Sequence, residues 1–174
     1  MDLAPILVMT VLPVLLIAAT FTDLFSYTIP NRISVAVIVL MLPMAWLVGM
    51  SLDTLWTHVA TALVVLALGY GLFRIGAMGG GDAKLLAGAA LWLGPMMTPM
   101  FLAYVSIFGG LFTLILMRAR SLPMPARLEG VAWIARLHSR QSGIPYCVAI
   151  GPVALYQYQQ SPWWTWAMTG SAFG

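Results

Sequence analysis

The sequence predicts an all-α fold: a polytopic membrane helix bundle with about six transmembrane helices. Three observations carry that prediction. Hydrophobic residues make up 61% of the 174-residue chain and charged ones only 7%, where soluble domains run near one half and one quarter. The mean hydropathy is +0.95. The apolar residues also fall in long uncharged runs, most of them close to the ~20 residues that cross a bilayer as a helix. The length suits a single domain, residues 1–174.

Residues 3–22, 33–52 and 54–73 are each free of Asp, Glu, Lys and Arg, and predict the first three helices. A signal peptide is the rival reading of the first run, but it would want a basic leader, and the only early charge is Asp2. The next uncharged run covers 85–117, too long for one span. A turn at "GPMMTP", residues 94–99, divides it into a shorter fourth and a longer fifth helix. The sixth begins near "IPYCVAIGPVALY" (144–156) and ends in "PWWTW" (162–166).

Six spans sort the charges by side. Arg32, Arg74, Lys84, Arg118, Arg120, Arg127, Arg136 and Arg140 fall on one side, while the other has Asp2 and Asp53 and no basic residue. The positive-inside rule makes the basic side cytoplasmic and puts both termini outside the cytoplasm. Residues 118–143 form an Arg-rich cytoplasmic connection, and Leu128 to Leu137 suits a short interfacial amphipathic helix. Anionic lipid headgroups are the expected partner of these arginines; nucleic acid is not.

Metal chemistry has little to work with. One cysteine, Cys147, makes neither a disulfide nor a Cys-x-x-Cys site, and it reads as a small apolar packing residue. His58 and His138 lie too far apart for a helical metal pair. No metal and no cofactor is expected.

Asp23, Asp82 and Lys84 are the charges that flanking arginines do not explain. A carboxylate near the bilayer centre costs about 2.5–3.5 kcal/mol on insertion scales, so ionisable groups at membrane depth usually face a cavity and do chemistry or transport. Both aspartates fall on the cytoplasmic side at similar depth. Two carboxylates that meet can share one proton, leaving one to take a proton from water and the other to protonate a peptide. Taken alone, Asp23 is equally a solvated end charge.

Gly79, Gly80 and Gly81 precede Asp82. Without Cβ atoms they can adopt positive φ and lie close to an extended peptide. A plain helix-breaking loop is the alternative. A phosphate loop fails on spacing, because Lys84 follows the last glycine by three positions and is itself followed by Leu85. In "FTDLFSYTIPNRIS" (21–34), Pro30 fixes its own φ and biases Ile29 towards extended geometry. Asn31 is the candidate cap of the second helix.

Asp23 with Ile29-Pro30-Asn31, and Gly79-Gly80-Gly81-Asp82 with Lys84-Leu85, resemble the paired motifs of the type IV prepilin peptidases, a family of membrane aspartic proteases. "IPY" at 144–146 fits the same pattern. The resemblance covers roughly residues 15–155 and implies Asp23 and Asp82 as the catalytic pair. Gly79, Gly80, Gly81, Pro30 and Asn31 would support substrate binding. Lys84 would bias a neighbouring charge or bind a carbonyl. It also implies the substrates, pilin-like precursors cut between a short basic leader and a hydrophobic helix at the cytoplasmic face of the inner membrane. Larger members carry paired Cys-x-x-Cys motifs and methylate the new N-terminus. With one cysteine this chain departs from that form, and neither methylation nor zinc is expected. Its size resembles the small peptidases of tight-adherence (Flp-type) pilus systems, and archaeal preflagellin peptidases share the core motifs. Two other classes compete: a proton-coupled transporter using the same aspartates, for which no internal repeat is visible, and a non-catalytic subunit of a secretion apparatus.

Overall fold

The computed structural model describes residues 3–173. Among them are eight helices and no strand: α1 (Leu3–Ser26), α2 (Asn31–Leu47), α3 (Leu52–Arg74), α4 (Gly80–Arg120), α5 (Ala126–Glu129), α6 (Ala132–His138), α7 (Cys147–Tyr158) and α8 (Pro162–Thr169). Helix α4 is the hub, packing against α2, α3, α6 and α7, while α1 packs against α2, α6, α7 and α8.

Three helices, α1, α3 and α4, are long and apolar enough to cross a membrane, and α2 and α7 are apolar but shorter. The even set of six spans expected from the sequence is therefore not what the helix lengths give. At 1.5 Å per residue α7 reaches only about 18 Å, against a hydrocarbon core of about 30 Å. The last apolar run is divided between α7 and α8 by a turn at residues 159–161, in which Ser161 N–H donates to the Tyr158 carbonyl at 3.0 Å. Pro162 opens α8 at its first position, where a missing N–H is harmless.

The break expected at 94–99 is sharper than a turn. It is one residue, Gly94, at φ 70° and ψ −179°, a region essentially open only to glycine. Pro95 follows. Its missing N–H would have bonded the Leu91 carbonyl, four residues back. His58 of α3 takes over, with Nδ1 2.8 Å from that oxygen. The next carbonyl, of Trp92, accepts Trp163 Nε1–H at 2.6 Å. Side chains of α3 and α8 thus satisfy backbone acceptors at the break.

Around that break lies the aromatic part of the core. Trp92, Tyr158 and Trp163 are fully buried, with ring centroids 4.9 Å apart for the tryptophan pair and 6.0 Å for Trp92–Tyr158. Their polar atoms all find carbonyls: Trp92 Nε1–H donates to Val37 at 2.8 Å and Tyr158 O–H to Val8 at 2.6 Å. One cluster therefore ties α1, α2, α4, α7 and α8 together.

The amphipathic helix expected over 128–137 is two short helices, α5 and α6, separated at Gly130 and Val131. Gly130 ends the first of them, as its weak helix propensity favours. Three of the arginines there are engaged internally, Arg140 by donating through Nε to Arg120 O at 3.3 Å. Arg120 donates through Nε to Leu137 O at 2.8 Å and through its two terminal nitrogens to Ser142 O and Gly143 O at 3.1 and 2.8 Å. Arg136 donates to Phe25 O at 3.0 Å, beside an edge-to-face Phe25–Trp133 pair. The connection is thereby fastened to the end of α1 and to the segment that leads into α7.

Candidate active site

Asp23 sits in the last turn of α1 and is only 5% exposed, which removes the reading of a solvated end charge. Its carbonyl accepts Tyr27 N–H at 2.8 Å. Tyr27 is left-handed, at φ 55°, the one non-glycine residue among those described with positive φ, and it turns the chain out of α1. Pro30 then stands as the residue preceding α2, at φ −57° and ψ 130°, with no side-chain cap. The cap expected from Asn31 is not made. Asn31 is already inside the helix, and its Oδ1 accepts Lys84 Nζ–H at 2.9 Å. That bond joins the two sequence motifs directly.

Asp82 lies in the first turn of α4, 7% exposed, at the helix end that favours a carboxylate. The preceding glycines do not have the positive φ that the sequence suggested. Among the described residues, Gly49, Gly76, Gly94 and Gly170 are the glycines with positive φ. Gly79 is the ordinary extended residue before α4, at φ −70° and ψ 144°, and Gly80 and Gly81 are helical. Their missing Cβ atoms matter for space instead. A Cβ on Gly79 would lie 2.7 Å from Asp82 Oδ2, one on Gly81 3.2 Å from the Ile29 side chain, and one on Gly80 3.4 Å from Phe73.

The two aspartates meet around Cys147. A carboxylate oxygen of each and the Cys147 sulfur all lie within 4.8 Å of one another. Cys147 N–H donates to Asp23 Oδ2 at 3.2 Å and its thiol to Asp82 Oδ1 at 3.6 Å. The residue is fully buried, as a packing cysteine would be, yet it also bridges the carboxylates. Sequence reasoning missed that role; the signal available was its place directly after "IPY". Two features set the position. Arg120 pins the carbonyls of Ser142 and Gly143 just upstream. On α1, the Thr20 hydroxyl contacts both Leu16 O, at 2.9 Å, and Cys147 O, at 3.3 Å, where Gly151 leaves room for it. Two carboxylates and a sulfur so close also form a compact donor set for an ion.

A cleft of about 250 Å³ opens beside this group. One wall is the α1–α2 connection, with Tyr27, Thr28, Ile29 and Asn31; the other is Gly79 to Asp82 with Lys84. Pro30 is not among its lining residues; it shapes the turn that presents its neighbours. The Tyr27 phenol oxygen is buried and has no hydrogen-bond partner among the described residues. Burial pushes its pKa up, against the opposing charge of Arg120, so the hydroxyl keeps its proton. The arrangement offers two carboxylates from separate helices, room for water, and unpaired donors on Lys84 and Tyr27.

A sequence profile described as the type IV leader peptidase family matches residues 10–114, more than half of the chain and both motif segments. The chain belongs to the type IV leader peptidase family. Neither the curated proteins nor the solved structures give a match. The family is one of aspartic peptidases acting on pilin-like precursors in general. With its long apolar helices, this member is an integral membrane protein. The α7 segment that supplies Cys147 lies beyond the matched region.

Proposed function

We propose that this chain is a prepilin leader peptidase, an aspartic endopeptidase in which Asp23 and Asp82 are the catalytic pair. The observation that carries the reading is the approach of the two buried carboxylates, from separate helices, to within 4.8 Å beside a polar cleft. At that separation both cannot comfortably be ionised, and the pair holds one proton between them. The ionised partner removes a proton from water, and the water oxygen attacks the scissile carbonyl carbon. The protonated partner gives its proton to the carbonyl oxygen. The resulting gem-diol collapses as the leaving nitrogen is protonated and the C–N bond breaks, returning the pair to one shared proton.

Lys84, held by Asn31, keeps donors that a substrate carbonyl can accept, and Gly79, Gly80 and Gly81 leave the backbone room a peptide needs. The substrate is a pilin-like precursor, cut after its basic leader at the cytoplasmic face of the inner membrane, as the distribution of Lys and Arg favours. N-methylation is not part of this activity, in keeping with a chain that holds one cysteine. Anionic lipid remains the proposed partner of the exposed Arg118 and Arg127.

Co-expression with a pilin precursor tests the reading. Wild-type protein removes the leader, whereas Asp23→Asn and Asp82→Asn leave the precursor intact while accumulating normally in the membrane. Normal processing by either variant would rule the pair out.

A further inference from the structure

The cleft does not stand alone. A second, apolar groove of about 340 Å³ lies between α2 and α3, with α4 as its floor. Its walls are Ile38, Met41 and Leu42 on one side and Val59, Leu63 and Leu66 on the other. The floor is Lys84, Ala87, Gly88 and Leu91, positions i, i+3, i+4 and i+7, which form one stripe along a helix. That stripe descends about 10 Å from Lys84 at 1.5 Å per residue. Lys84 lines both the groove and the cleft that holds the aspartates. A polar slot at the end of α4 thus adjoins an apolar trough, with Lys84 lining both.

We infer that this trough receives the apolar helix of the precursor, entering sideways between α2 and α3 while the extended segment ahead of it reaches Asp23 and Asp82. The inference rests on the proposed leader-peptidase activity and adds the route and seat of the substrate. Its chemistry fits the occupant. A substrate with an extended polar segment joined to an apolar helix needs a polar cleft beside an apolar groove, and here the two adjoin at Lys84. Within a membrane, helix association depends on close packing, and small residues permit it; Ala62 is the small residue of the α3 wall, while in the floor Ala87 is buried and Gly88 already packs against Val37. Ile38, Leu42 and Leu63 stand 46%, 55% and 60% exposed, open to such a partner. The rival surface is the groove between α4 and α7, lined by Tyr104, Phe108, Val153 and Tyr156. It is larger, about 440 Å³, but it shares no lining residue with the cleft.

Photo-crosslinking in the membrane tests the inference. The full chain, carrying Asp82→Asn to hold the precursor uncut, receives benzoylphenylalanine at the position of Leu63 or, separately, of Phe108. A model pilin precursor with its leader and apolar helix is the probe. The expected result is a crosslink to the apolar helix from position 63 and none from 108. In the cleavage-competent chain, Ala62→Trp fills the trough and lowers kcat/KM for the precursor roughly tenfold, or ~1.4 kcal/mol, while Phe108→Trp leaves it unchanged. Crosslinks from 108 alone, or from 63 to lipid alone while the wild type still cleaves, would overturn the inference. A wild type that never cleaves the precursor would instead remove the proposed function, and this inference with it.

Discussion

Gly79→Ala isolates the placement of one carboxylate. Gly79 has φ −70° and ψ 144°, a conformation alanine adopts without strain. As the residue before a helix, alanine in place of glycine costs up to about 1 kcal/mol of stability, which the unfolding control reads. The new Cβ, however, falls 2.7 Å from Asp82 Oδ2 and 3.6 Å from its Cγ. Ordinary contact begins near 3.4 Å, so the Asp82 oxygen must give way by roughly 0.7 Å, the difference of those two distances. Oδ1 of the same carboxylate lies 3.6 Å from the Cys147 sulfur, so the shift disturbs the arrangement with Asp23 and the Cys147 thiol. Displacing a reacting group by ~1 Å can cost about 10²-fold in rate, and the smaller shift here should cost roughly 10- to 100-fold. The assay is the rate of leader release by purified protein in detergent, with thermal unfolding as a control for folding. Gly71→Ala is the internal comparison, since its Cβ meets nothing within 4 Å. It should keep near wild-type activity. Equal rates for Gly79→Ala and wild type would refute the claim that Asp82 is held in place by the absence of that Cβ.

Other outcomes follow from the same geometry. Lys84→Met and Asn31→Leu each remove the 2.9 Å bond between the motifs; each should slow cleavage by roughly 0.5–1.5 kcal/mol in barrier, and the double variant should be no slower than the worse single one, as a double-mutant cycle would show. His58→Ala leaves the Leu91 carbonyl without its 2.8 Å partner at a proline break, and should cost ~1–3 kcal/mol of stability, read as a lowered melting temperature in detergent; an unchanged melting temperature would contradict that role. The pH–rate profile should be bell-shaped. On the acid side both carboxylates are protonated and the base is lost; on the alkaline side both are ionised and the acid is lost. The two limbs belong to the pair rather than to either residue, and a plateau through the acid limb would argue against a shared proton.

Much of the site was legible because its chemistry is conspicuous in a chain with so few charges. Asp23 and Asp82 stand out against long apolar runs, and their buried meeting is what membrane energetics would lead one to expect. Lys84 and Asn31 were visible as motif members, but their bond to each other was not, because nothing in spacing says that the starts of α2 and α4 adjoin. Cys147 illustrates the same limit more strongly. A lone cysteine in an apolar run looks like packing, and its contact with both carboxylates depends on tertiary contacts, Arg120 on the carbonyls of Ser142 and Gly143 and Thr20 on its own carbonyl. The glycines were noticed for the wrong property. Composition suggests backbone freedom, whereas Gly79 makes room for Asp82 on its own wall and Gly81 for Ile29 across the cleft.

The helices were less evenly legible. Hydropathy marks what is apolar and not where a helix stops. The break at Gly94 was anticipated from its Gly-Pro pair, yet the closing of that break by His58 and Trp163 depends on tertiary contacts. The final apolar run reads as one span by composition, and the turn before Pro162 divides it.

The central claim is that Asp23 and Asp82 act as one unit, and the most direct measurement is the leader-cleavage rate of purified Asp23→Asn, Asp82→Asn and the double variant. Residues that share one chemical step are strongly non-additive. The account predicts that each single substitution reduces the rate to the same residual level as both together. Losses that multiply in the double variant, or one single variant that still cleaves at the wild-type rate, would contradict it.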